Sequence, residues 1–241
     1  MEHQQPRKKI VITLLRGWLA RNLLHNDFYR MLREKYDVLV LTPAWEDARF
    51  IKEFAHPNVR FLYFDELNWT KLDRFINNLH RFLIWNRSVE LHLRYGVALN
   101  DKGQPLPLYI LTKALFWPLS KLTFLRTLLR RFDGKYLQKI EVERLRQLLA
   151  TEHPDLIIAT HPTCDAEAAL IKAAKKQGIT VWAMPKSWDN PSKSSFRVKA
   201  DRLIVWNRYM KQKSVEFQNY RASEIDVIGV LHYDIFFEHE R

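Results

Sequence analysis

Seven short runs rich in Val, Ile and Leu punctuate the chain, over 9–15, 37–42, 59–64, 155–160, 179–184, 202–206 and 226–230. Most are apolar at consecutive rather than alternate positions. A strand with one wet face alternates with a period of two, so an unbroken apolar run predicts a strand covered on both faces, as in parallel sheets. Helix-period segments separate most of the runs. Between Asn22 and Lys35, Leu23, Leu24, Phe28, Met31 and Leu32 fall on one face. Ala166 to Gln177 is Ala-rich and stops at Gly178, a residue suited to the left-handed position after a helix. Tyr209 to Asn219 lies between the last two runs. This alternation predicts an α/β fold, a Rossmann-like doubly wound and mostly parallel sheet of about seven strands.

The interval from Leu67 to His153 breaks the rhythm, for it holds no strand-like run. Arg74 to Arg94 reads as helix-like, and Tyr95-Gly96 through Asp101-Lys102-Gly103-Gln104-Pro105 breaks it. From there, Leu108, Leu111, Leu115, Leu122, Leu125, Leu129 and Phe132 keep a three–four spacing that covers one helix face. Lys113, Arg130, Arg131 and Lys135 lie on the other side, with Lys121 and Arg126 near the edges. Pro118 predicts a break, with a second helix starting near it. Two readings follow for this insert of about 67–153. Either the apolar stripe packs on the sheet and the basic face is solvated, or about 108–135 lies in a membrane interface, Phe116 and Trp117 included.

Composition narrows the setting. A chain of 241 residues with 47% hydrophobic content can bury one large core, here a single domain carrying the insert. The one cysteine, Cys164, has no disulfide partner within the chain. Met1–Lys9 is polar and basic, and the apolar run Ile10–Leu15 behind it is too short for a signal peptide. No uncharged apolar stretch reaches about 18 residues. The expected location is the cytoplasm, peripheral at the inner face of the cell membrane. Net charge is +12, and residues 74–146 hold 14 Lys and Arg against 5 acids. So concentrated a positive field attracts phosphates, and each cation near an anionic bilayer contributes about 1 kcal/mol. Zinc spacings, RNA-binding aromatic signatures and a recognition helix are all missing, so nucleic acid is not an expected partner.

In a doubly wound sheet the loops after the strands share one edge, and ligands bind there. After the first strand comes Arg16-Gly17-Trp18-Leu19-Ala20-Arg21-Asn22, where a glycine and free helix N–H groups favour an anion. After the fourth comes Thr160-His161-Pro162-Thr163-Cys164-Asp165. His161 is placed to act as a base or to bind phosphate, and Thr163 or Asp165 to cap the next helix. After the fifth comes Met184-Pro185-Lys186-Ser187-Trp188-Asp189-Asn190-Pro191-Ser192-Lys193. Asp189 is a candidate for taking a proton from an acceptor hydroxyl, or else forms an Asx turn before Pro191. Lys186 and Lys193 would neutralise phosphate, Trp188 would stack on a sugar or base, and Asn190 would bond hydroxyls. Glycine fingerprints for dinucleotides, Walker loops, nucleophile elbows and metal-binding His or Cys spacings are absent, as is any Asp-x-Asp pair, so neither a cofactor nor a metal is expected.

The block Pro185–Lys193, then Ala200-Asp201-Arg202-Leu203-Ile204-Val205-Trp206-Asn207, then Ile228-Gly229-Val230-Leu231-His232-Tyr233-Asp234, with Arg21-Asn22-Leu23-Leu24, resembles bacterial surface-polysaccharide glycosyltransferases of the GT-B fold. These are relatives of CDP-glycerol glycerophosphotransferases and UDP-GlcNAc 2-epimerases. The resemblance spans 9–236 and rests chiefly on the Ser-Trp-Asp-Asn block. It implies the acceptor-binding half of a metal-independent transferase of cell-envelope polysaccharide synthesis. Asp189 or His161 would be the base, and Arg16, Gly17, Arg21, Asn22, Lys186, Ser187, Trp188, Asn190 and Lys193 would line the cleft. The acceptor would be lipid-linked or a saccharide. The nucleotide-activated donor would be held by a carboxyl-terminal half outside this chain, which ends at His239-Glu240-Arg241 as a fragment or as part of a split enzyme. A sugar-nucleotide epimerase half and a non-catalytic membrane-binding module are the alternatives.

Overall fold

The computed structural model describes residues 7–67, 70–96 and 102–236. Asp101, His239, Glu240, Arg241 and most of the polar amino-terminal segment lie outside them. Seven strands, β1 (Lys9–Thr13), β2 (Asp37–Thr42), β3 (Val59–Tyr63), β4 (Leu156–Ala159), β5 (Thr180–Ala183), β6 (Arg202–Val205) and β7 (Ile225–Val227), form one sheet in the order β3-β2-β1-β4-β5-β6-β7. Every pairing is parallel, with Val11 opposite Leu39 on one side and Ile157 on the other. The fold is Rossmann-like α/β; six strands fall within the runs that foretold them, and β7 starts one residue before its run and ends early in it.

Alternate residues of each strand enter different cores, which is why the runs carry no polar face. Ile10, Ile12, Val38, Val40 and Ile158 pack under α1 (Gly17–Leu24), α2 (Asp27–Lys35) and α3 (Ala48–Phe54). Val11, Leu39, Leu41, Ile157, Val181 and Leu203 pack against α8 (Lys139–Glu152) and α9 (Asp165–Lys176), with α11 (Arg208–Gln218) beyond. Helix α9 is buried from Asp165 to Ala174. It ends where Gly178, at φ +70°, lets the Ile179 N–H donate to the Ala174 carbonyl at 3.1 Å.

Between β3 and β4 the insert supplies α4 (Lys71–Phe82), α5 (Arg87–Tyr95), α6 (Leu106–Lys121), α7 (Thr123–Tyr136) and α8. Three expectations need correction here. The Arg74–Arg94 helix is two helices. Ile84 and Trp85 turn into a small core, and the Asn86 side chain caps α5 by accepting from the Val89 N–H at 3.0 Å. Pro118 does not end α6, which runs on to Lys121. A proline so near the end forfeits little of the helix, and the chain turns only at Leu122. The third correction concerns which face is buried. In α7 the buried residues are Arg126 and Asp133, with Arg130 half-buried, while Phe124, Leu128 and Phe132 face outward. In α6 Thr112 and Ser120 are buried, while Leu108, Ile110, Leu111, Leu115 and Trp117 are exposed. The apolar stripe is therefore not packed on the sheet.

The inward polar groups of α7 find partners, as buried polar groups must. Arg126 donates to the Glu216 and Phe217 carbonyls near the end of α11 at 3.1 and 2.5 Å. Arg130 donates to the Phe196 carbonyl at 2.8 Å and the Ser195 hydroxyl at 2.8 Å, and burial draws its pKa down to about 10. Asp133 receives both Arg197 Nε at 2.7 Å and Nη2 at 3.0 Å, together with the Lys172 ammonium of α9. Arg197 also reaches Asp165 at 2.5 Å and Asp73 at 3.2 Å, and His80 lies 3.2 Å from Asp133. These contacts tie α4 and α7 to α9 and to the segment before β6.

Candidate functional site

With all strands parallel, the loops after β1, β4, β5 and β6 emerge at one edge. The strand order reverses between β1 and β4, so a crevice opens there. The two strand ends are stitched together. Thr160 donates its N–H to the Thr13 hydroxyl at 3.0 Å and its own hydroxyl to the Thr13 carbonyl at 2.6 Å. Thr13 in turn donates to Glu167 Oε1 at 2.6 Å, and the His161 N–H donates to Oε2 at 2.6 Å. Glu167 belongs to the first turn of α9 and is fully buried. Burial raises its pKa to about 7 against the pull of the Thr13 and His161 bonds.

Sequence reasoning passed over Glu167, yet a signal was present. The helix reads Asp165-Ala166-Glu167-Ala168-Ala169-Leu170-Ile171-Lys172-Ala173-Ala174, apolar nearly all round, so its ionisable residues had to be buried and partnered. The cap of this helix is Cys164 rather than Thr163 or Asp165, whose carboxylate is taken by Arg197. Burial pushes the Cys164 thiol up to about 12.

His161 is 7% exposed, and its Nδ1 has no hydrogen-bond partner. Burial, then the charges of Lys186 and Arg16, draw its pKa down to about 3, so the imidazole is neutral at pH 7. Arg16 precedes α1 and pairs with Glu66. Lys186 extends over the Trp18 ring, 5.3 Å from its centroid, and burial lowers its pKa. Arg16, His161 and Lys186 thus form one electrostatic group.

The remaining predicted residues divide among neighbouring hollows. Asn22 and Lys186 share a small cleft with Thr160, Trp206 and His232. Gly17 and Arg21 line a hollow of about 400 Å³ with Arg16, His25 and Thr42. Trp188, Asp189 and Lys193 line a groove of about 490 Å³ with Arg87, His92, Tyr209 and Lys213. The last four had not been singled out, because α5 and α11 meet the β5 loop only in the fold.

The Ser187–Lys193 turn is closed by its own side chains. The Ser187 N–H donates to Asn190 Oδ1 at 3.2 Å and its hydroxyl to Asp189 Oδ1 at 2.7 Å, while Lys193 sits 2.5 Å from Asp189 Oδ2. Partial burial works to raise the Asp189 pKa, but the bonds from Lys193 and Ser187 outweigh it and keep the carboxylate ionised. Asn190 is buried in the short helix α10 (Asn190–Lys193), where its side chain holds the turn. Among the described residues no group of three or more His, Cys, Asp or Glu is arranged to hold a metal ion.

No protein-family model and no curated protein matches the chain. Among solved structures it is similar to one from Listeria monocytogenes described as a UDP-N-acetylglucosamine 2-epimerase, with a TM-score of 0.48 and 13% identity. The match covers 95% of this chain and 46% of that protein, so the chain spans about half its length.

Proposed function

We propose that this chain is the acceptor-side half of a GT-B-like transferase, which passes a glycosyl or glycerophosphoryl group from a nucleotide-activated donor to an acceptor hydroxyl in cell-envelope polysaccharide synthesis. One observation supports this above the others: a single edge of a parallel sheet gathers an ionised carboxylate in an open groove, two cations within reach of the crevice and an exposed indole. Asp189 is the base in this reading. It takes the acceptor proton as the acceptor oxygen bonds to the donor carbon or phosphorus, and the nucleotide leaves with the electron pair of the broken bond. His161, weakly basic and buried, positions the β4 loop instead. The donor is held by another domain or chain.

The second half of this reading is a site of work at the inner face of the cell membrane, docked through α6 and α7. Leu108, Leu111, Leu115, Trp117, Phe124 and Leu128 are all at least two-fifths exposed, a patch that monomeric soluble surfaces seldom carry. Exposed Lys121, Arg131, Lys135 and Lys139 border it, Lys121 over the Trp117 ring and Lys135 and Lys139 over Tyr136. Apolar side chains bordered by cations complement an anionic bilayer surface. No described helix is long and apolar enough to cross a membrane.

Two measurements test the proposal. In the full-length gene product supplied with labelled nucleotide sugars and saccharide acceptors, Asp189→Asn removes at least ~10²-fold of the turnover; unchanged turnover sinks the base assignment. Isomerised sugar nucleotide formed without acceptor would favour an epimerase. Flotation with anionic liposomes, lost on charge-neutral ones and in a Trp117→Ser, Phe124→Ser variant, is expected for the docking face. Absence of flotation on anionic liposomes removes it.

A further inference from the structure

The groove between α5, the β5 loop and α11 has the volume of a small-molecule site. Trp188 is 57% and Tyr209 48% exposed, and their rings stand side by side on its wall, centroids 6.4 Å apart and tilted by 50°. Two wet aromatic faces gain by covering the C–H face of a sugar ring. Around them lie Arg87, Lys193 and Lys213 against one carboxylate in the groove, Asp189, which Lys193 neutralises. Arg87 is only loosely engaged by Glu90 at 3.8 Å, while Lys213 contacts Glu216 at 2.7 Å and stands 5.7 Å from the Tyr209 centroid. His92, on the same wall, registers the excess of positive charge. After burial, Lys193 and Arg81 are the main causes lowering its pKa, against the opposing pull of Asp189. Helix α5 begins at Arg87 with nine residues, and its first N–H groups, those of Arg87 and Ser88, have no partner within the helix.

We propose that this groove is a subsite for a phosphorylated saccharide, its sugar ring on Trp188 and Tyr209 and its phosphate at the Arg87–Ser88 end of α5 beside Lys193 and Lys213. The assignment rests on the transferase reading and deepens it, because it names the chemistry of the acceptor. A helix start and a few cations would hold any anion; the aromatic pair is what selects a sugar attached to it.

Calorimetric titration of the purified protein with glucose 1-phosphate, glucose and inorganic phosphate tests the subsite without any donor. Glucose 1-phosphate is expected to bind about tenfold or more tightly than either part alone. Trp188→Ala should lower that affinity about tenfold and leave phosphate binding unchanged, whereas Arg87→Gln should weaken both phosphate-bearing ligands. Trp188 is exposed, so its loss leaves the melting temperature in place. Equal affinity for glucose 1-phosphate and phosphate, or binding indifferent to Trp188→Ala, overturns the proposal. Vesicles carrying a glycosyl phosphopolyprenol separate two sources of the same chemistry. Trp188-dependent retention on them identifies a lipid-linked acceptor, and competition by the free sugar phosphate alone identifies a soluble one. Binding without transfer in the full-length product would leave the subsite standing and remove the transferase reading. Transfer that survives Trp188→Ala at unchanged acceptor KM would remove the subsite alone.

Discussion

Two groups of ionisable side chains, one under the helical insert and one at the sheet edge, are built on opposite plans. Beneath the insert, Asp73, Asp133 and Asp165 meet Arg197 and Lys172 with neutral His80 against them, and nearly every charge has a partner. At the sheet edge, Arg16 is paired with Glu66, but among the described residues Lys186 forms no ion pair and lies over the Trp18 ring, and the His161 Nδ1 has no hydrogen-bond partner. A closed network sealed from solvent holds elements together and has nothing left to offer a ligand. An open one leaves charge available to whatever enters the crevice. Each group holds a buried imidazole, His80 in one and His161 in the other; they differ in how far the charges around it are sealed from solvent and paired.

The sharpest way to break this comparison is to remove one member of the closed network. Asp133→Ala leaves Arg197 and Lys172 short of their shared partner, and the chain is expected to lose about 3–5 kcal/mol of stability in urea unfolding. A loss below about 1 kcal/mol would show that the insert is held by its apolar contacts instead.

Two buried carboxyls, Asp133 in the closed network and Glu167 beside the sheet edge, should answer pH with opposite sign. Burial works to raise the Asp133 carboxyl, but bonds from His80 and Arg197 hold it well below the usual range. A depressed native pKa gives stability that is present above the unfolded value, near 3.8, and is lost as pH falls through the native one. Glu167 does the reverse. Its native pKa of about 7 exceeds the ordinary 4.5, so its contribution is complete below pH 4.5 and lost as pH rises through 7, on the order of 3 kcal/mol at most. His161, whose native pKa of about 3 lies below its ordinary 6.5, opposes it with stability that grows as pH rises towards 6.5, so Glu167→Gln should make stability climb more steeply between pH 4.5 and 7 and leave the acid limb of Asp133 in place. A slope between pH 4.5 and 7 that is the same in the variant would show that Glu167 does not titrate there.

The smallest effect on stability belongs to the open group. Lys186→Ala should change unfolding by no more than about 0.5 kcal/mol, because its ammonium holds no ion pair in the described structure. It should also shift the His161 pKa upward, readable from the imidazole proton shifts in NMR, since Lys186 is the largest charge acting on that ring. An unmoved His161 titration would separate the two residues and dissolve the group.

Much of the scaffold could be read directly from the chain. Runs such as Ile10-Val11-Ile12 and Leu156-Ile157-Ile158 are apolar at successive positions, and only a strand with a core on each side satisfies them. Gly178 marked the end of α9 because its position requires a positive φ. The Lys186–Lys193 loop could be placed at a strand end for the same local reasons. Its partners could not be, since Tyr209 and Arg87 reach it from other elements.

Helix α7 shows where local pattern stops. Phe124, Leu128 and Phe132 repeat at helical spacing, and so do Arg126, Arg130 and Asp133. Periodicity states which residues share a face; it is silent on which face meets the protein. That choice was made by Arg197, 64 positions from Asp133, and by the α11 carbonyls that receive Arg126. Local pattern sufficed for the strands, for which segments are helical though not for where the insert's helices break, and for the edge at which polar loops gather, because hydrophobic period and backbone dihedrals act over a few residues. Tertiary structure alone decided which charges are sealed and which are left open, because desolvation and pairing depend on side chains brought together from distant parts of the chain.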